Sequence, residues 1–215
     1  RKVRGLQGSA ADEAAVHVGL REQLGRVSTL SEDVRPEQPA ELPDEGVGVE
    51  DIVRFRNPDI NTEVWFVALG AELAGNGGMN AFLDEHAQDM RGAIIIDLDA
   101  LGAGDLTLIE KEGAYLPRQA SSRMRRLVKK ASGAVGLTVG SGSMTWMDSA
   151  AACAMRRGCQ TMHLAGMEGG KPAYFGQSDD VVENVSAEKM AVNADFVMEL
   201  LKSICLLISR GALIS

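Results

Sequence analysis

The chain has 215 residues, of which 45% are hydrophobic, 24% charged and 4% aromatic. This balance is typical of a globular domain and excludes a chain that is disordered throughout. The formal net charge is −8, so a nucleic-acid partner is not expected, and no apolar run reaches the roughly 18 residues that a membrane span requires.

The N-terminal part of the chain divides into a predicted helix and an acidic segment. Ser9, followed by Asp12 and Glu13, is typical of a helix start, and Gly25 is a plausible stop. We therefore expect residues 1–30 to supply an N-terminal helix of the same domain. Residues 31–49 hold three prolines and six acids, which indicates a linker or the remnant of an excised loop.

From residue 50 to residue 215 apolar runs alternate with amphipathic stretches. This alternation predicts a three-layer α/β/α sandwich around a mixed, mainly parallel sheet. The continuous apolar runs at 64–69 and 93–98 predict two neighbouring, buried strands in the centre of that sheet. The other predicted strands are 106–109, 137–139 and 161–164, and the predicted helices are 79–86, 121–132, 148–157 and a long one after Ser186.

The glycine-rich segment 70–78 follows the first of these strands and permits three interpretations. Its backbone N–H groups could cradle a phosphate at the start of a helix, as in a nucleotide-binding protein, although the spacing matches no known phosphate loop. The glycines could instead serve only a tight turn. In the third interpretation Glu72, a carboxylate at a strand end, acts as a general base.

A second group of polar residues ends the next predicted strand. Alternation places Asp97 and Asp99 on one face, where burial is costly unless the carboxylates are paired or bind a cation. A functional role and a purely structural role both remain open for them. His163 lies in an apolar strand and is predicted to be a core histidine with a partner, whereas His17 and His86 are predicted to lie on the surface.

The order of these motifs resembles the zinc aminopeptidases of metallopeptidase family 28. The resemblance rests on five segments, which together cover residues 1–25 and 63–203: GLQGSAADEAAVHVGLREQLG, EVWFVALGAELAGNGGMNAFL, IIIDLDALGAG, MDSAAACAMRRGCQTMHLAG and PAYFGQSDDVVENVSAEKM. It implies hydrolysis at peptide N-termini with zinc as cofactor. Glu72 matches the general base and Asp99 a zinc ligand, and Trp146, Asp148, Phe175 and Asp179 match the substrate pocket.

The chain departs from the family at most metal-ligand positions. Leu73 and Phe175 stand where the family has a Glu and a His ligand, and the family's earlier His-x-Asp motif has no counterpart. Because a catalytic zinc needs about three protein ligands, we expect a degenerate or truncated member that does not bind the metal. The alternative is a non-catalytic binding module that takes a peptide or small molecule in the same crevice. Membrane attachment would need a segment that this chain lacks.

Overall fold

The computed structural model describes the backbone of residues 16–22 and residues 62–209. It contains eight strands and four α-helices in these ranges, with one short 3₁₀ helix at Val182–Asn184. The strands are β1 Val16–Glu22, β2 Thr62–Ala68, β3 Ile94–Asp99, β4 Asp105–Glu112, β5 Arg118–Gln119, β6 Gly140–Met144, β7 Gln160–Glu168 and β8 Lys171–Pro172; the helices are α1 Gly77–Glu85, α2 Ser122–Val135, α3 Ala150–Arg156 and α4 Ala187–Ser209.

The described strands form one mixed sheet with helices on both faces, as the sequence predicts. The order is β2-β1-β3-β7-β4-β5, with β6 paired to β4 and β8 paired to β7. Helices α2 and α4 cover one face through a large apolar cluster around Met162, Leu164 and Phe196. Helices α1 and α3 cover the other through a smaller cluster around Met79 and Ile95. Among the described strands, β3–β7 and β4–β6 pair in parallel and the other pairings are antiparallel, so the sheet is mixed.

The N-terminal prediction is wrong over residues 16–22, which form strand β1 rather than a helix. The sequence VHVGLRE alternates apolar and other residues with period two, and its central glycine disfavours a helix. Strand β1 pairs antiparallel with both β2 and β3. The rest of the predicted helix and the acidic segment 31–49 lie outside the described residues.

Strand β2 does not lie beside β3, so the prediction that they are central neighbours is also wrong. Strand β1 lies between them, and β2 stands at the end of the described sheet. From Trp65 to Ala68 its residues alternate between half-buried and exposed, and Phe66 is 38% exposed. Strand β3, in contrast, is buried from Ile94 to Leu98. A run of apolar residues predicted full burial on both faces. Val64 and Trp65 pack against the clusters on the two faces, but only partly, and Phe66 is exposed.

The helix ends follow from local sequence. The Ser121 hydroxyl accepts a hydrogen bond from the N–H of Met124 at the start of α2, and the Ser149 hydroxyl accepts one from Ala152 at the start of α3. Strand β6 begins three residues later than predicted, because its sequence GSGSM is fixed by pairing with β4 rather than by propensity. A Cβ at Gly140 or Gly142 would lie 3.0 Å from the Thr107 side chain. None of the described helices is long and apolar enough to cross a bilayer.

Candidate functional site

The carboxyl ends of β2 and β3 leave the sheet at the same edge. Ala68 in β2 and Leu98 in β3 both pair with Val16 of β1, and both strands run antiparallel to β1. The segments that carry Glu72 and Asp99 therefore begin about two strand spacings apart, roughly 10 Å. Strand β7 runs parallel to β3 and pairs Ala165 with Asp99, so its end reaches this edge as well. We name this edge the candidate crevice.

The glycine-rich turn that carries Glu72 uses its own N–H groups. The N–H groups of Asn76, Gly77 and Gly78 donate to the carbonyls of Glu72, Ala71 and Gly70 at 2.9, 3.0 and 3.1 Å. A Cβ at Gly78 would lie 2.4 Å from the Gly70 oxygen, so the close approach requires glycine. These three donors are thus committed to the turn, which argues against a phosphate cradle and supports the tight-turn interpretation.

The two aspartates of β3 lie in different environments. Asp97 is 3% exposed, and its Oδ2 accepts a hydrogen bond of 2.9 Å from the N–H of Ala151 in α3. Asp99 is partly exposed at the end of the strand. Burial raises the pKa of Asp99 to about 6, and the charge of Asp97 adds to this rise while His163 opposes it. Asp99 is therefore a carboxyl that exchanges its proton near neutral pH.

Behind Asp99 lies a fully buried polar network, which we name the Glu112 network: Asp97, Glu112, Ser149 and His163. His163 is paired with Asp97 across the β3–β7 ladder, and its Nδ1 lies 2.9 Å from Glu112 Oε2. The same Glu112 oxygen accepts a hydrogen bond from the Ser149 hydroxyl. The network joins β3, β4, β7 and the start of α3.

The carboxylates of this network determine the charge of His163. Burial alone favours the neutral imidazole, but Asp97 and Glu112 outweigh burial and raise the pKa of His163 to about 10. His163 is then an imidazolium that lies beside two buried carboxyl groups, Asp97 and Glu112. The prediction of a core histidine with a partner is confirmed.

Two predicted pocket residues in the loops after β6 and β8 touch each other. The rings of Trp146 and Phe175 meet edge to face with centroids 5.2 Å apart, and Lys171 Nζ lies 5.6 Å from the centre of the Trp146 ring. Trp146 remains 42% exposed. The residues that follow β6 and β8 therefore present an aromatic surface with a cation beside it.

Asp148 connects this aromatic surface to the turn that carries Glu72. Its carbonyl accepts a 2.9 Å hydrogen bond from Asn76 Nδ2, and its carboxylate accepts bonds of 2.9 Å from the Ala114 N–H and from Arg156. Burial opposes the charged form, but Arg156 and the Ala114 N–H together lower the pKa of Asp148. Asp148 thus holds neighbouring loops in place.

Asp179 takes a less central position than the resemblance implies. Its side chain is exposed and contacts the hydroxyl of neighbouring Ser178, while its carbonyl accepts a 2.7 Å bond from Asn184 Nδ2. Among the residues after β8 it is Asp180 whose charge acts on Asp99. Leu73 is 64% exposed on the turn after β2. The roles of Glu72, Asp99 and the pocket residues stay predictions.

Known structures share the fold. LapB from Legionella pneumophila matches with a TM-score of 0.57 at 15% identity, over 72% of this chain and 43% of that one. The LapA aminopeptidase of the same organism matches with a TM-score of 0.50 at 14% identity, over 67% and 39%. A zinc aminopeptidase from Bacillus subtilis matches at 0.46 and 15% identity, over 66% and 35%, which is too distant to support an argument.

The likenesses to LapB and to the LapA aminopeptidase show a shared α/β fold. This chain spans about two fifths of the length of the two Legionella proteins. No protein-family model and no curated protein sequence matches it.

Proposed function

We propose that this chain is an aminopeptidase-like domain whose candidate crevice receives the N-terminal end of a peptide. The observation that carries the proposal is the fold it shares with LapB and the LapA aminopeptidase. The common edge reached by β2, β3 and β7 supports it, because open α/β sheets bind ligands beyond the carboxyl ends of their strands.

The side chains at this edge suit a peptide N-terminus. Glu72 and Asp99 are carboxyl groups at strand ends, and a carboxylate is the natural partner of an α-ammonium. Because the pKa of Asp99 is raised to about 6, it is ionised at neutral pH and can also exchange a proton with a bound amine. The exposed ring of Trp146 and the half-buried ring of Phe175 offer an apolar surface for the adjoining side chain.

A zinc ion does not fit the residues present. In residues 64–208, the part with described side chains, no group of three or more His, Cys, Asp or Glu could hold a metal. At two of the positions where the resemblance implies ligands, Leu73 offers no lone pair and Phe175 packs its ring on Trp146. The nearby Asp97 and His163 are buried and bonded to other groups. We derive no hydrolytic step through a metal and infer that the chain is catalytically impaired.

The first experiment measures metal and activity together. Protein reconstituted with zinc should carry far less than one zinc per chain by elemental analysis, and should hydrolyse aminoacyl-anilides no faster than buffer. A content near one zinc per chain, with turnover that a chelator stops and Glu72→Ala abolishes, would refute the proposal that the chain is catalytically impaired and would show an active zinc enzyme.

The second experiment tests binding. A tripeptide with a free N-terminus should quench tryptophan fluorescence more strongly than its N-acetylated form, and Asp99→Asn should remove most of that difference. The matched control is Asp105→Asn, an exposed aspartate at the start of β4. Equal binding of the free and acetylated peptides would refute recognition of the N-terminus.

A further inference from the structure

A pocket opens at the opposite edge of the sheet, where β3 and β7 begin. Its lining comes from the end of α1, the loop before β3 and the loop before β7, and its volume is about 440 Å³. The lining residues are Leu83, Ala87, Met90, Arg91, Gly92, Arg157, Gly158 and Cys159. This size falls in the range of small-molecule sites, which start at about 300 Å³.

The lining combines two cations with an apolar wall. Leu83 and Met90 are buried members of the cluster between the sheet and α1, so their side chains form a fixed apolar surface. Arg91 is exposed, and no ion pair connects it to another residue in the described ranges. An unpaired guanidinium beside an apolar surface is a common arrangement for an organic anion.

The second cation is held in position by its own contacts. Arg157 donates from Nη1 to Asp84 and from Nη2 to Asn80 Oδ1 at 3.3 Å, both on α1. Its orientation is therefore set before any ligand arrives, which reduces the entropy lost on binding. Asp84 neutralises part of this charge, so the pocket carries a net charge close to that of Arg91 alone.

We propose that this pocket binds a small organic monoanion with an apolar body, such as a carboxylate on a short aliphatic chain. The anionic group lies between Arg91 and Arg157, and the apolar body lies against Leu83 and Met90. The site is separate from the candidate crevice, and its existence does not depend on the aminopeptidase-like function.

Cys159 supplies a reporter inside the pocket. It is partly exposed, while the other two thiols, Cys153 and Cys205, are buried. Alkylation by neutral iodoacetamide at about pH 8.5 can therefore be followed at Cys159 by peptide mass. If hexanoate binds with a Kd of about 1 mM, then about 10 mM hexanoate should slow this alkylation roughly tenfold.

Three comparisons make the result decisive. At matched ionic strength hexanol and inorganic phosphate should each protect Cys159 less than twofold, because hexanol lacks the anionic group and phosphate lacks the apolar body. Arg91→Gln should abolish protection by hexanoate, while Arg126→Gln, an exposed arginine on α2, should retain it. The proposal fails if hexanol protects as well as hexanoate, if Arg91→Gln still shows full protection, or if hexanoate gives none.

Discussion

Replacing Glu112 by Gln should destabilise the fold more than almost any other single polar substitution in the described residues. Glu112 is 0% exposed, and one of its oxygens accepts hydrogen bonds from both His163 and Ser149. Glutamine keeps the size of the side chain but removes the negative charge. The imidazolium of His163 would then be left buried with Asp97 as its main counter-charge.

The expected loss follows from these contacts. Removing one partner of a buried ion pair typically costs about 3–5 kcal/mol when the other charge is left uncompensated. Asp97 still faces His163 in this variant, so the loss should lie near the lower end of that range. A domain of this kind is stable by about 5–15 kcal/mol, so the variant should fold but unfold at a much lower urea concentration. His163→Gln should give a similar loss, and the double variant should lose clearly less than the sum, because both substitutions break the same contact between Glu112 and His163.

The pH dependence supplies an independent readout. The pKa of His163 is raised from its ordinary 6.5 to about 10 in the folded protein, so its stabilising contribution is complete below about pH 6.5 and is lost as pH rises toward 10. Urea unfolding between pH 6.5 and 9.5 should show this decline in the parent and a weaker one in Glu112→Gln. A loss below about 1 kcal/mol at pH 7, or an unchanged pH profile, would contradict the charged network.

The sequence predicted the elements whose signals are local. Helices α2 and α3 begin beside Ser121 and Ser149 because a serine hydroxyl can cap the first turn, and that chemistry is visible in the sequence. Strand β3 was predictable from its nearly continuous apolar run, since it is buried on two faces. Strand β7 is equally buried, although Thr161 and His163 interrupt its apolar residues.

Errors arose where distant segments decide the structure. Strand β1 is defined by pairing with two strands that lie far along the chain, and this pairing outweighs the helix-start signal before it. Its insertion beside β3 moves β2 to the end of the described sheet. A period-two pattern over residues 16–20 was available as a signal, but pairing partners cannot be read from a single segment.

An irregularity in strand β4 explains why the Glu112 network could not be predicted from the sequence. Leu106 and Leu108 of β4 face the large apolar cluster, so strict alternation would send Glu112 to that face too. The register shifts between Ile109 and Lys111, and such a slip reverses the faces of the residues that follow. Glu112 therefore meets His163 on the face covered by α3. His163 alone could be predicted as a core histidine; its partner could not.

Two further substitutions test the surroundings of the candidate crevice. Gly166→Ala should destabilise the fold by about 2 kcal/mol or more, because its Cβ would lie 2.0 Å from the Ala103 oxygen. The control is Gly133→Ala on α2, which has open space around it and should stabilise the fold slightly. A comparable effect of both substitutions on urea unfolding would contradict this prediction. Asp99→Asn should raise stability at pH 7.5 and leave it nearly unchanged at pH 4. Folding raises the pKa of Asp99 from 3.8 to about 6. Between pH 3.8 and pH 6, Asp99 is therefore protonated in the folded protein but ionised in the unfolded chain. Stability therefore falls as pH rises through that window, and the accumulated penalty above pH 6 is at most about 3 kcal/mol, with solvent screening reducing it. Asparagine removes the penalty because it never ionises. If Asp99→Asn instead lowers stability at pH 7.5, the carboxylate is stabilised in its charged form, and a bound cation at the crevice would have to be sought.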